Sequence, residues 1–262
     1  MENGSLKTQF GNKWIINKML IAEIGVNHLG QKKIINSFLK KLINSDVDGI
    51  TFQILEQNKL KKLNIVEFTN DFYEEKISQI KKSKKKIGIA INDINKIKFF
   101  NDQKIDFWKV LSVDFYNKNL IQKLIKTEKP IYLSTGFSSF KEIIKTSRIS
   151  KYINFIHTVL SHKIEDANLS AMKILKNHLG KKISFGLHCS DTNIIYASIF
   201  YEPNLIFFYV KRSHLKKIYD NKHAIELSNL NDMIKRIKHL KKAIGNSRKR
   251  KISLKNPTKK IK

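Results

Sequence analysis

The sequence predicts an α/β fold, a TIM-type (β/α)₈ barrel, and three observations carry that prediction. Short apolar runs alternate with longer amphipathic stretches along the chain, eight of each. The short runs are rich in Ile, Val and aromatic residues and show little in/out alternation, as parallel strands buried on both faces do. The chain has 262 residues, and a barrel of eight strand–helix units takes about 250. A doubly wound open sheet is the competing layout, and the count of units favours the barrel.

The elements follow in order. The predicted strands cover 19–25, 49–53, 87–92, 106–111, 130–135, 152–158, 182–188 and 204–210. The amphipathic segments between and after them, read as helices, cover 32–44, 71–84, 96–103, 119–127, 140–146, 166–179, 191–201 and 229–244. In the last of these Met233, Ile237, Leu240 and Ile244 recur at three- and four-residue spacing, which makes one apolar stripe. Gly245 then stands where a helix C-cap belongs. Residues 1–245 therefore read as one barrel domain. Residues 246–262 have no hydrophobic period, one proline and the run Arg248-Lys249-Arg250-Lys251, and they read as a basic, disordered tail.

Composition narrows the function classes. Hydrophobic residues make up 41% of the chain, ordinary for a globular domain. No apolar run approaches the roughly 18 residues of a membrane helix. The first apolar stretch, 14–26, is broken by Asn17, Lys18 and Glu23, so it is not a signal peptide either. The single cysteine, Cys189, excludes an internal disulfide framework and points to a reducing, cytoplasmic setting. The net charge of +29 would ordinarily suggest nucleic acid. Here nearly all the cations are lysines spread along helices, as at 80–86 and 235–242, without Arg forks or aromatic platforms. A nucleic-acid partner is not expected, and the charge reads as compositional bias.

Function in such barrels gathers at the C-terminal strand ends. The first strand runs into Glu23-Ile24-Gly25-Val26-Asn27-His28, a carboxylate, an amide and an imidazole that are costly to bury unless they bind something. Thr51-Phe52-Gln53 ends the second strand, and Lys109-Val110-Leu111-Ser112-Val113-Asp114 the fourth. Leu133-Ser134-Thr135-Gly136 ends the fifth. His157 ends the sixth and is followed by Ile164-Glu165-Asp166-Ala167-Asn168-Leu169. His188 closes the seventh, and His223-Ala224 follows the eighth. In order and spacing this set resembles the N-acetylneuraminate (sialic acid) synthase family over residues 15–245.

The resemblance implies a transferase that condenses phosphoenolpyruvate with an N-acyl hexosamine and releases phosphate, giving a nonulosonic acid. It also implies a divalent metal, Mn²⁺ or Mg²⁺, acting as Lewis acid on the sugar's aldehyde oxygen. Glu23, Lys109 and His188 take catalytic roles under it. Asn27, His28, Gln53, Ser112, Asp114, Ser134, His157 and His223 bind substrate. His188 is the one family metal ligand in place, and His214 is the nearest imidazole to the second. The bland reading of Glu23 is a salt bridge with Lys109, and that of His188 a hydrogen-bonded barrel histidine. The resemblance leaves a homodimer open.

Departures from the family pattern are as informative. Its strand-two lysine is Thr51, and its Glu-Lys-His run at strand eight is Tyr209-Val210-Lys211-Arg212. Gly186-Leu187 precedes His188 in place of Ser-Asp, Val159–Lys163 replaces a longer run after strand six, and Lys222 replaces the Asp before His223. The family's C-terminal antifreeze-like domain is expected to be absent, and metal binding to be weak. The sequence therefore predicts a synthase with a partly degraded site. The alternative is a non-catalytic barrel kept as a phospho-ligand binder or partner subunit.

Overall fold

The computed structural model describes residues 19–212 and 219–245. Eight parallel strands follow one another around a closed sheet: β1 (Met19–Glu23), β2 (Gly49–Ile54), β3 (Lys86–Ile91), β4 (Phe107–Val110), β5 (Ile131–Ser134), β6 (Ile153–His157), β7 (Ser184–Gly186) and β8 (Leu205–Lys211). Closure comes from β1 pairing with β8, Met19 opposite Leu205 and Glu23 opposite Tyr209. The predicted barrel is the observed fold.

Outside the strands lie α1 (Lys32–Ile43), α2 (Gln57–Lys62), α3 (Asn70–Lys82), α4 (Ile97–Asp102), α5 (Lys118–Ile125), α6 (Phe140–Ser147), α7 (Ser170–Leu179), α8 (Asn193–Ser198) and α9 (Leu230–Ile244). Each longer helix turns an apolar stripe to the sheet: α1 buries Ile34, Ile35, Phe38, Leu39 and Leu42 and leaves Lys40 and Lys41 in solvent. Local chemistry fixes their starts. The Thr69 side chain caps α3 by accepting from the Phe72 amide, and Ser139 with Glu142 forms a capping box on α6. The main core lies between this helical ring and the outward face of the strands.

Five features depart from the predicted elements. The connection from β2 to α3 carries α2, and a two-residue strand, β9 (Ile225–Glu226), pairs with the outer end of β8, Val210 opposite Ile225. Six- and two-residue elements are too short to show a period. The helix predicted at 166–179 begins at Ser170, after a 3₁₀ turn at Glu165–Ala167, and the one predicted at 191–201 ends in a 3₁₀ turn at Ile199–Tyr201. The strand predicted over 182–188 holds ladder pairing only at Ser184–Gly186. The predicted tail and His214 lie outside the described residues. Among the described residues no helix is long and apolar enough to cross a membrane.

Candidate active site

The barrel interior is layered. Ile21, Phe107, Tyr132, Ile156, Leu205 and Phe207 fill a lower, apolar layer. One pleat repeat further along, at the C-terminal ends, the same strands present Glu23, Lys109, Ser134 and Tyr209. Glu23 and Lys109, each only 3% exposed, form an ion pair across the interior. The Lys109 ammonium also lies 5.4 Å from the Phe207 ring centroid and 5.3 Å from that of Tyr209. The cation is therefore held by one carboxylate and two ring faces.

Hydroxyls crowd the exits of β4 and β5. Ser112 Oγ accepts from the Gly136 amide at 3.0 Å, which leaves its own proton for another acceptor. Ser134 is buried, and Thr158 Oγ1 and Ser138 Oγ are buried without a hydrogen-bond partner among the described residues. A cleft of about 570 Å³ opens beside them, lined by Thr135, Gly136, Ser138, His157 and Thr158 among others. His157 Nε2 meets the Ala167 carbonyl at 3.0 Å, so it donates, and burial holds this imidazole below its ordinary pKa. Asp114 is engaged towards α2: its Oδ1 accepts from Asn92 Nδ2 at 2.9 Å and from Lys59 Nζ at 3.4 Å.

The exit of β1 is shaped by Gly25, whose φ is +58°. A Cβ there would lie 2.7 Å from the Tyr209 ring and 3.0 Å from Asp220 Oδ2, so only glycine admits both neighbours. Asn27 ties this exit to that of β8, with Nδ2 donating to the Val210 carbonyl at 3.0 Å and Oδ1 accepting from the Asp220 amide at 3.3 Å. His28 turns its ring to Phe68, 5.0 Å away, and its Nδ1 accepts from the Gly30 amide at 2.9 Å. Burial pushes its pKa down to about 4. Gln53 is half-buried and lines a small hollow with His28 and Leu60. Of the residues singled out at this exit and in β2, Asn27 thus faces β8, whereas His28 and Gln53 face the segment that carries α2.

Imidazoles dominate the opposite side. His223 stacks on half-buried His188 at 4.4 Å and on His162 at 5.5 Å, and it meets Tyr209 edge-on at 5.3 Å. His162 Nδ1 meets the His188 carbonyl at 2.8 Å, so it donates. Burial, with His223, Lys109 and His162 nearby, drives the His188 pKa down to about 2; burial first, then His162, Lys109 and Lys211, takes His223 to about 4. Asp220 lies behind this stack, its Oδ1 3.7 Å from His223 Nε2. Burial and the Glu23 carboxylate raise its pKa to about 7 against the pull of Lys109. Lys211 is engaged by the carbonyl and side chain of Asn221, at 2.6 and 2.9 Å.

A model of the NeuB family matches residues 33–249. The chain belongs to the NeuB family. Over 184 residues it is 29% identical to Uncharacterized protein MJ1065 of Methanocaldococcus jannaschii, covering 64% of this chain and 55% of that protein. Over 263 residues it is 22% identical to N,N'-diacetyllegionaminic acid synthase of Campylobacter jejuni, covering 88% of this chain and 79% of the relative. The solved N-acetylneuraminic acid (sialic acid) synthetase of Leptospira borgpetersenii superposes with a TM-score of 0.82 at 20% identity, over 91% of this chain and 89% of that one. That likeness shows the same fold.

In this NeuB chain the described donors do not suit the metal that the resemblance implies. An imidazole coordinates through a lone pair in its ring plane. His188 and His223 are stacked 4.4 Å apart with planes 26° from parallel, so their lone pairs do not converge on one point. Among the described residues no group of three or more His, Cys, Asp or Glu side chains is placed to hold a metal ion. Sequence reasoning missed Asp220 and His162. Asp220 sits in a turn without periodicity; the signal was a single acid in a lysine-rich run, three residues before His223.

Proposed function

We propose that this NeuB protein condenses phosphoenolpyruvate with an N-acyl hexosamine to give a sialic acid-like nonulosonic acid and phosphate, and that it works in the cytoplasm. The observation that carries the reading is the buried Lys109 ammonium at the barrel mouth with the hydroxyls of Ser112 and Ser134 on neighbouring exits. A phosphate and a carboxylate call for that combination of one cation and short neutral donors. Glu23 fixes the ammonium in place and offers its second oxygen to a sugar hydroxyl. The enolpyruvate C3 then attacks the sugar's aldehyde carbon, water adds at C2 and phosphate leaves.

One feature favours the alternative, a phospho-ligand binder without turnover. The stacked imidazoles of His188 and His223 do not converge on a metal, while Lys109, Ser112 and Ser134 still supply donors for a phosphate. Phosphate release from phosphoenolpyruvate with a panel of N-acyl hexosamines, with and without Mn²⁺, tests the synthase reading. Release that depends on one hexosamine and yields the condensed acid by mass spectrometry supports it. No release with any acceptor, alongside calorimetric binding of phosphoenolpyruvate, replaces it with the binder.

A further inference from the structure

Resting on the synthase reading, we propose that Asp220 is the acid that protonates the acceptor's carbonyl oxygen, with His223 as its positioning residue. Three buried polar atoms cluster here without any hydrogen-bond partner among the described residues: Asp220 Oδ2 and both ring nitrogens of His223. His223 is 4% exposed. Unsatisfied buried groups cost free energy, and several in one place mark where a ligand completes the bonding. A structural Asp–His pair would leave no such set. At 3.7 Å the two side chains are too far apart for a hydrogen bond, and His223 is held neutral by its burial.

The carboxyl is also held firmly. The Asp220 amide donates to Asn27 Oδ1, Asn27 in turn grips the Val210 carbonyl, and Gly25 leaves the room that Oδ2 occupies. The groups facing Asp220 are Glu23 from β1, Lys109 from β4, Tyr209 from β8 and His223 from its own turn, with His188 stacked behind His223. Burial and Glu23 outweigh Lys109 and keep a substantial fraction of the carboxyl protonated near neutrality. That matches what carbon–carbon bond formation needs, because negative charge develops on the carbonyl oxygen as the bond forms.

The step balances. The enolpyruvate C3 bonds to the aldehyde carbon, the carbonyl π pair moves to oxygen, and that oxygen takes the Asp220 proton. Water then adds to the electron-poor C2 and returns a proton to the Asp220 carboxylate. The hemiketal phosphate so formed expels phosphate, which carries off the hydroxyl proton and leaves the keto acid. The acid is restored with water as the only co-reactant.

Steady-state kinetics of the full chain across pH, with Asp220→Asn and His223→Gln, test the assignment. Asp220→Asn is expected to lose at least about 100-fold in kcat, with KM for phosphoenolpyruvate within about threefold of wild type. Wild-type kcat should fall as pH rises through about 7, and that descending limb should vanish in the variant. His223→Gln should keep the limb but shift its midpoint. If Asp220→Asn fails to fold, Asp220→Ser is read the same way. Asp220→Asn activity within about threefold of wild type, or a wild type with no descending limb, overturns the assignment alone. A wild type that turns over no acceptor ends the synthase reading and this assignment with it.

Discussion

The exits of β1, β4 and β5 and the exits of β7 and β8 form two halves of one barrel mouth, and they treat their polar groups in different ways. In the first half the charged groups are paired within the protein, Lys109 with Glu23 and Asp114 Oδ1 with Asn92 and Lys59. Asp114 Oδ2 and the Ser138 and Thr158 hydroxyls keep no partner among the described residues. In the second half imidazoles stack on one another, and Asp220 and His223 keep unsatisfied buried atoms. The first half carries most of the family motif, whereas the second carries the Tyr209-Val210-Lys211-Arg212 and Lys222 departures. The first half thus forms a frame held by paired charges. In the second half Asp220 and the retained His223 are left open to a ligand.

Breaking the frame should produce the largest effect. Lys109→Met strands the Glu23 carboxylate at 3% exposure, and denaturant unfolding is expected to show a loss of about 3–5 kcal/mol. The double variant Lys109→Met, Glu23→Gln should recover most of it, because no uncompensated charge then remains. Equal losses in single and double variants would show that the frame is not electrostatic.

The seam between the halves comes next. Gly25→Ala puts a methyl group 2.7 Å from the Tyr209 ring at a positive φ, and thermal unfolding should register about 1–3 kcal/mol of destabilisation. An unchanged melting temperature would mean that Tyr209 and Asp220 can move aside freely.

The buried imidazoles and Asp220 titrate with opposite sign. His28, His188 and His223 have pKa values lowered to about 4, 2 and 4 from 6.5, so the unfolded chain binds the extra protons. Their stabilising effect is complete above pH 6.5 and drains away as pH falls through 6.5 towards 4. Asp220, raised from 3.8 to about 7, works the other way, since its burial destabilises the fold increasingly as pH climbs from about 4 to 7. Asp220→Asn should therefore steepen the acid loss of stability between pH 6.5 and 4 in denaturant titrations. A slope equal to wild type would place Asp220 in a solvated position.

The smallest effect expected is on metal. Removing a true imidazole ligand costs on the order of 10–100-fold in affinity. His188→Ala should shift Mn²⁺ binding by less than about twofold, from a starting affinity that is roughly millimolar. Paramagnetic relaxation titrations of wild type, His188→Ala and His214→Ala measure this directly. Tight binding abolished by both substitutions would restore a metal to the second half.

Much of this was legible in the residues. Strands buried on both faces leave continuous apolar runs, so all eight could be read, and a carboxylate at Glu23 and an ammonium at Lys109 stand out at such strand ends. The bland reading of Glu23, a partner for Lys109, is also what the structure shows. What escaped were contacts between exits far apart in sequence. His28 looks like a mouth residue until Phe68 is seen against its ring. Asp220 looks like a turn residue until Gly25 and Asn27 hold it beside the stack. No periodicity encodes either, because both depend on loops meeting in space.

The bond from Asn27 to the Val210 carbonyl spans 183 residues, and it lies on the seam where β1 meets β8. On a ribosome adding about 5–20 residues per second, the first strand is completed roughly 10–40 s before its closing partner exists. Throughout that interval β1 is a bare sheet edge, with Leu20, Ala22 and Ile21 exposed to whatever else is being made nearby. The wait for the last strand is thus a step open to aggregation in a cell.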